Sequence, residues 1–95
     1  MRDYEAMFII KPDLEEEAVS ATVTKFENLV TASGGSVNNV DRWGKRRLAY
    51  EIAGYTEGVY AIMDFSAESA VARELERVFR ITDEVIRHLV VRKGD

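Results

Sequence analysis

Within 95 residues the hydrophobic pattern changes period in the order strand, helix, strand, strand, helix, strand. Nothing else in the chain restricts its fold as strongly. A period of two places alternate side chains on opposite faces of a strand, whereas a period near 3.6 draws one stripe along a helix. Arg2 to Ile10 is rich in β-branched and aromatic residues, with Tyr4, Ala6, Phe8 and Ile10 on one parity and Met7 and Ile9 on the other, so it reads as a strand with apolar character on both faces. After Pro12, Asp13 stands as an N-cap with Glu16 at the capping-box position. Val19, Val23, Phe26 and Val30 then recur at helical spacing until Gly34-Gly35, which predicts a helix over roughly 14–32.

Residues 37–52 form a long extended segment interrupted near Trp43-Gly44, where a bulge or sharp twist is expected. Gly54 to Gly58 reads as a hairpin loop, and Val59 to Phe65 as the next strand, with Val59, Ala61, Met63 and Phe65 facing one way and Tyr60, Ile62 and Asp64 the other. Ser66 is placed to cap a second helix with Val71, Leu75, Val78 and Phe79 on its apolar side, ending near Arg80, and Val85 to Arg92 closes the chain as a strand. The order matches the α+β ferredoxin-like split βαβ pattern: a four-stranded antiparallel sheet with both helices on one face and the other face open. If the first parity of the third strand packs under the helices, then Tyr60, Ile62, Met7, Ile9, Leu89 and Val91 gather on the open side, edged by Arg87 and interrupted by Glu5 and Asp64. An apolar patch of that kind suggests a docked protein partner.

Length and a hydrophobic content of 46% suit one domain over 1–95 with a core of its own. The absence of cysteine removes disulfides, thiolate metal sites and cysteine nucleophiles. His88 is the single histidine and has no partner of the kind a metal site or catalytic dyad needs. Neither a signal-peptide pattern nor an apolar run long enough for a bilayer occurs, so a cytoplasmic chain without cofactor, metal, membrane contact or small-molecule substrate is expected. The net charge of -4 argues against phosphate binding, but the charge is unevenly distributed. Arg42, Lys45, Arg46 and Arg47 stand against Asp41 alone in residues 41–47, while Asp13, Glu15, Glu16 and Glu17 crowd residues 13–17.

Trp43 followed by Gly44-Lys45-Arg46-Arg47-Leu48-Ala49-Tyr50-Glu51-Ile52-Ala53 resembles the signature of the bacterial small-subunit ribosomal protein S-six family. The similarity extends to the Met-Arg-x-Tyr-Glu start, the Gly34-Gly35 turn, Gly58 and the Val90-Val91-Arg92-Lys93 finish. It implies a non-enzymatic component of the ribosome that pairs with the small basic ribosomal protein S-eighteen and binds the central domain of small-subunit ribosomal RNA. On that implication the RNA-contact candidates are Arg2, Arg42, Lys45, Arg46, Arg47, Arg87, Arg92 and Lys93. Physically, arginines offer forked donors suited to phosphate, although a basic strand edge also serves simply to blunt edge-to-edge aggregation. Two other readings share the topology. The third strand loosely resembles the aromatic strand of RNA-recognition-motif domains, but lacks the basic residue before glycine and offers only Tyr60 on the open side. A small-molecule regulatory domain is the other, since fold does not dictate function.

Overall fold

The computed structural model describes residues 1–94. Its elements are β1 (Arg2–Ile10), α1 (Glu16–Ala32), β2 (Ser36–Ile52), β3 (Tyr55–Ala67), α2 (Ser69–Ile81) and β4 (Val85–Arg92), and the strands form one antiparallel sheet in the order β2-β3-β1-β4. This is the ferredoxin-like architecture expected from the pattern. The predicted inward parities hold: Ala6, Phe8, Ile10, Ala61, Met63 and Phe65 are at most 1% exposed and join the apolar stripes of both helices in one core. At its centre one ring from the sheet meets one from each helix, with Phe8 of β1, Phe26 of α1 and Phe79 of α2 at centroid distances of 4.5 to 5.2 Å. Such pairs add roughly 0.5–1.5 kcal/mol each beyond area burial.

Three local expectations are corrected. Asp13 lies in the turn before α1; the N-cap is Glu15, whose side chain makes no capping bond. Glu16 is the first residue of the helix rather than the third, so it does not stand at the capping-box position, and its carboxylate accepts from Ser20 Oγ at 2.9 Å and from the Arg42 guanidinium at 2.7 Å instead. Ser66 is the penultimate residue of β3 rather than a cap, its hydroxyl donating to Asp3 Oδ1 at 2.6 Å and accepting from Asn38 Nδ2 at 2.9 Å, and Glu68 takes the N-cap position of α2. The hairpin between β2 and β3 has no loop over 54–58. It turns on Ala53 (φ 51°) and Gly54 (φ 84°) alone, with Ile52 paired to Tyr55. Two successive positive φ values define the tight turn whose twist matches that of paired strands, so β3 begins at Tyr55. At the other end of α1, the amides of Gly34 and Gly35 donate to Thr31 and Val30 oxygens, closing the helix as the double glycine suggested.

The β2–β3 hairpin is longer than the rest of the sheet. Pairing of β1 with β3 stops at Ile10–Val59, where Lys45 stands on the far side of Val59, so residues 46–57 project as an arm. Within the arm the register slips: Arg47 opposes Glu57 and Ile52 opposes Tyr55, which leaves Leu48 to Glu51 facing Thr56 alone. Surplus residues on one strand bend a hairpin. Here Leu48 is only 7% exposed, and it lines a groove with Ile9, Met7, Tyr50, Ile52 and Tyr60.

Candidate nucleic-acid interface

On the face away from the helices the register sets three rows across the strands. Arg87, Ile9, Tyr60 and Gly44 form one, Leu89, Met7, Ile62 and Asp41 the next, and Val91, Glu5, Asp64 and Asn39 the third. The middle row is apolar across β4, β1 and β3, with Leu89 51% exposed, while Val91 is 39% exposed beside Glu5. Met7, Tyr60 and Ile62 are half-buried. Ile9 departs from the expectation of an open surface. It is 2% exposed, because the bent arm places Leu48 in the groove beside it and because Gly58, the β3 residue opposite Arg46, packs against its side chain. Ile9 therefore supports the groove from beneath, and Leu48 and Tyr50, which the pattern of strand parities did not single out, line it.

The eight candidate cations fall into three places. Lys45, Arg46 and Arg47 lie exposed at the base of the arm and along it. Arg87 reaches the arm from β4, donating to the Tyr50 hydroxyl at 2.7 Å. Arg2, Arg92 and Lys93 lie at the opposite end of the sheet, where Arg92 pairs with Tyr4 and Lys93 bridges Asp64 at 3.4 Å. Arg92 and Arg87 are five β4 positions apart, about 17 Å of strand. Arg42 belongs to neither group. Its guanidinium donates to Glu16 Oε2 at 2.7 Å and Ser20 Oγ at 3.0 Å, tying β2 to α1. That bond and the Ser20 hydroxyl hold the Glu16 carboxyl below the usual glutamate range.

The expected irregularity at Trp43-Gly44 is a bulge. Arg42 opposes Ala61 and Gly44 opposes Tyr60, so Trp43 has no partner in the ladder. Gly44 takes φ 79°, a left-handed conformation that L side chains adopt at a cost. The bulge turns Trp43 out to 46% exposure, its Nε1 donating to Asp41 Oδ2 at 3.0 Å. The indole lies nearly parallel to Tyr60, 16° and 6.2 Å between centroids, with the Arg46 guanidinium 6.0 Å from its ring. Trp43, Tyr60, Arg46 and Arg47 line an open cleft of about 460 Å³.

Among the described residues no group of three His, Asp or Glu side chains could hold a metal ion, and no helix is long and apolar enough to cross a membrane. His88 lies opposite Phe8 and stacks on Phe79 at 5.3 Å and 21°. Burial, reinforced by Arg80 and opposed by Glu76, pushes its pKa below the ordinary imidazole value.

The model of one family, described as ribosomal protein S6, matches residues 3–92. The chain belongs to the ribosomal protein S6 family. It is 50% identical over 95 residues to the small ribosomal subunit protein bS6 of Desulforamulus reducens, covering all of both chains. With the bS6 protein of Moorella thermoacetica it shares 54% identity over 92 residues, 97% of this chain and 94% of that one. The crystal structure of 30S ribosomal protein S6 from Thermotoga maritima superposes with a TM-score of 0.92 at 35% identity, covering 97% of this chain and 87% of that one. An Arabidopsis thaliana protein 12% identical, with a TM-score of 0.57, shares the fold alone. The S6 family is one of ribosomal structural proteins rather than enzymes, and this chain is accordingly a protein of the small ribosomal subunit.

Proposed function

We propose that this S6-family chain binds the central domain of small-subunit ribosomal RNA as one half of a heterodimer with the small basic ribosomal protein S-eighteen. The basic arm faces RNA, and the apolar row of the open sheet face receives the partner. The observation that carries this reading is the separation of the two surfaces on one acidic chain. Lys45, Arg46 and Arg47 are exposed on a hairpin that extends past β1, while Leu89, Met7 and Ile62 lie in register across the sheet. An acidic domain with so local a cationic surface binds RNA weakly alone, and a basic partner supplies the charge it lacks. Arg87 sits where the two surfaces meet, and Arg2, Arg92 and Lys93 form a second cationic end.

Two variants test the assignment. Ile62→Asp places a charge in the middle of the apolar row, and heterodimer affinity measured by calorimetry should fall at least about tenfold while the isolated chain stays folded. Arg46→Ala with Arg47→Ala should leave the heterodimer intact and weaken its binding to a central-domain RNA fragment. The log-log salt slope should become shallower by roughly 0.7 to 0.9 for each phosphate that the variant no longer neutralises. If the arginine pair abolishes pairing with the partner and Ile62→Asp weakens only RNA binding, the two surfaces are reversed.

A further inference from the structure

We infer that the cleft beside the β2 bulge seats one unstacked nucleobase of single-stranded RNA, with Trp43 as its platform and Arg46 and Arg47 holding the flanking phosphates. This rests on RNA contact by the arm and names what one part of that arm recognises. An indole 46% exposed leaves a large apolar face in water, and its orientation is already fixed by the Nε1 bond to Asp41 and the near-parallel Tyr60 ring. A base that continues the stack therefore loses little further order in the protein. Stacking of this kind is sequence-tolerant, because every base has a π face. Duplex bases already cover their faces with one another and offer none.

Charge decides between a base and a partner's side chain. The two polar residues that complete the cleft, Arg46 and Arg47, are both cations, and Arg46 already reaches the indole at 6.0 Å. A cationic rim around an aromatic floor suits a nucleotide, whose base is aromatic and whose linkages are anionic. The neighbouring groove takes its floor from Met7, Ile9, Leu48 and Ile52 and carries a single cation, Arg87, already bonded to Tyr50, while Tyr60 lines both sites and forms their boundary. The bulge also limits the site to one base. Trp43 is the single unpaired residue between Arg42 and Gly44, and its stack with Tyr60 is two rings long.

Trp43 is the only tryptophan of the chain, so its emission reports the site directly. The full chain is titrated at low salt, where weak phosphate contacts are strengthened, with a single-stranded adenine hexanucleotide and with duplex RNA of equal length. The single strand should quench Trp43 emission and the duplex should not, at equal occupancy measured by mobility shift. Trp43→Ala should weaken the single strand by about 5- to 150-fold, the range of one base stack. Its salt slope should be unchanged because no charge is removed. Arg46→Ala should instead make the slope shallower. Equal quenching by the duplex would overturn the inference, as would wild-type affinity in Trp43→Ala or a drop in that variant of affinity for the protein partner in place of RNA. If Trp43→Ala is neutral while the Arg46 and Arg47 changes weaken RNA binding, the cleft takes no base and the arm still binds RNA. If all of these changes are neutral, RNA contact by the arm fails as well.

Discussion

The most informative single methyl group that can be added to this chain is at Gly58. A Cβ there would overlap Ile9 Cγ2, with the Ile10 carbonyl oxygen 3.5 Å away and Ile86 Cδ1 3.6 Å away. Ile9 is 2% exposed and has nowhere to swing, so Gly58→Ala must displace either the arm or β1. Overpacking of this kind costs about 1–3 kcal/mol. In a domain of this size each kcal/mol lowers Tm by about 4–8 °C. Ile9→Ala removes the methyl that is struck, and alone costs about 2–5 kcal/mol through the cavity it leaves. The two changes share one contact and cannot add: the double variant should be more stable than the sum predicts by about 1–3 kcal/mol. Urea unfolding of the four chains followed by circular dichroism measures the cycle. Additivity within about 0.5 kcal/mol, or a Gly58→Ala chain as stable as wild type, would refute the claim that close packing on Ile9 sets the pose of the arm.

At the tip of the arm, Ala53 holds φ 51° without a side chain suited to it, so Ala53→Asn, which creates the favoured Asn-Gly turn, should raise stability by about 0.5–1 kcal/mol in the same assay. Arg42→Ala should return the Glu16 carboxyl upward toward 4.5 in an NMR titration. It should also reduce, to the share that the Ser20 hydroxyl supplies, the stability that Glu16 contributes above its unfolded pKa and loses as pH falls. His88 favours its neutral form in the folded chain, so its contribution is complete above about 6.5 and declines as pH falls below that value toward its lowered folded pKa. His88→Phe, which keeps the stack on Phe79, should flatten the stability profile across that window, and an unchanged profile would show that other groups set it.

The strand and helix order was legible because burial enforces it. Phe8, Met63 and Phe65 are each fully buried, and shifting any strand by one residue would turn them to the solvent face. Alternation therefore reported the helix-facing side faithfully, and the Trp43-Gly44 dipeptide reported the bulge. Element ends were less legible because they depend on which partner wins a side chain. Glu16 fits a capping box by spacing, yet Arg42, distant in sequence, holds its carboxylate. Ser66 fits an N-cap, yet Asp3 and Asn38 hold its hydroxyl within the sheet. Ala53 is a poor signal for a turn of positive φ, so the hairpin read as a longer loop. The candidate site was legible in composition and not in placement. Arg42 shares a basic run with Arg46 and Arg47, but the bulge between them leaves Arg42 opposite the helix-side residue Ala61 and Gly44 opposite the open-side Tyr60.

The register slip in the arm makes the basic segment and the apolar face parts of one device. Were Leu48 to Glu51 matched one for one with β3, the hairpin would run straight on from the sheet, and Leu48 would have no reason to be 7% exposed. The slip bends the arm so that Leu48 joins Ile9 in a groove, and Arg87 reaches Tyr50 across it at 2.7 Å. Arg46 and Arg47, immediately before the slip, are thereby held beside Trp43 rather than at the end of a free ribbon. On the proposed docking, a partner on Leu89, Met7 and Ile62 would adjoin the groove that carries the arm and would restrain it further before RNA arrives. Ordering the arm in advance removes part of the conformational cost of binding RNA. The partner's contribution to RNA affinity should then exceed what its own positive charge supplies. The excess is measurable as the part of the affinity gain that persists when both affinities are extrapolated to high salt, where the electrostatic share vanishes. A gain that disappears entirely on that extrapolation would mean that the partner supplies charge alone and that the arm is no better ordered in the heterodimer.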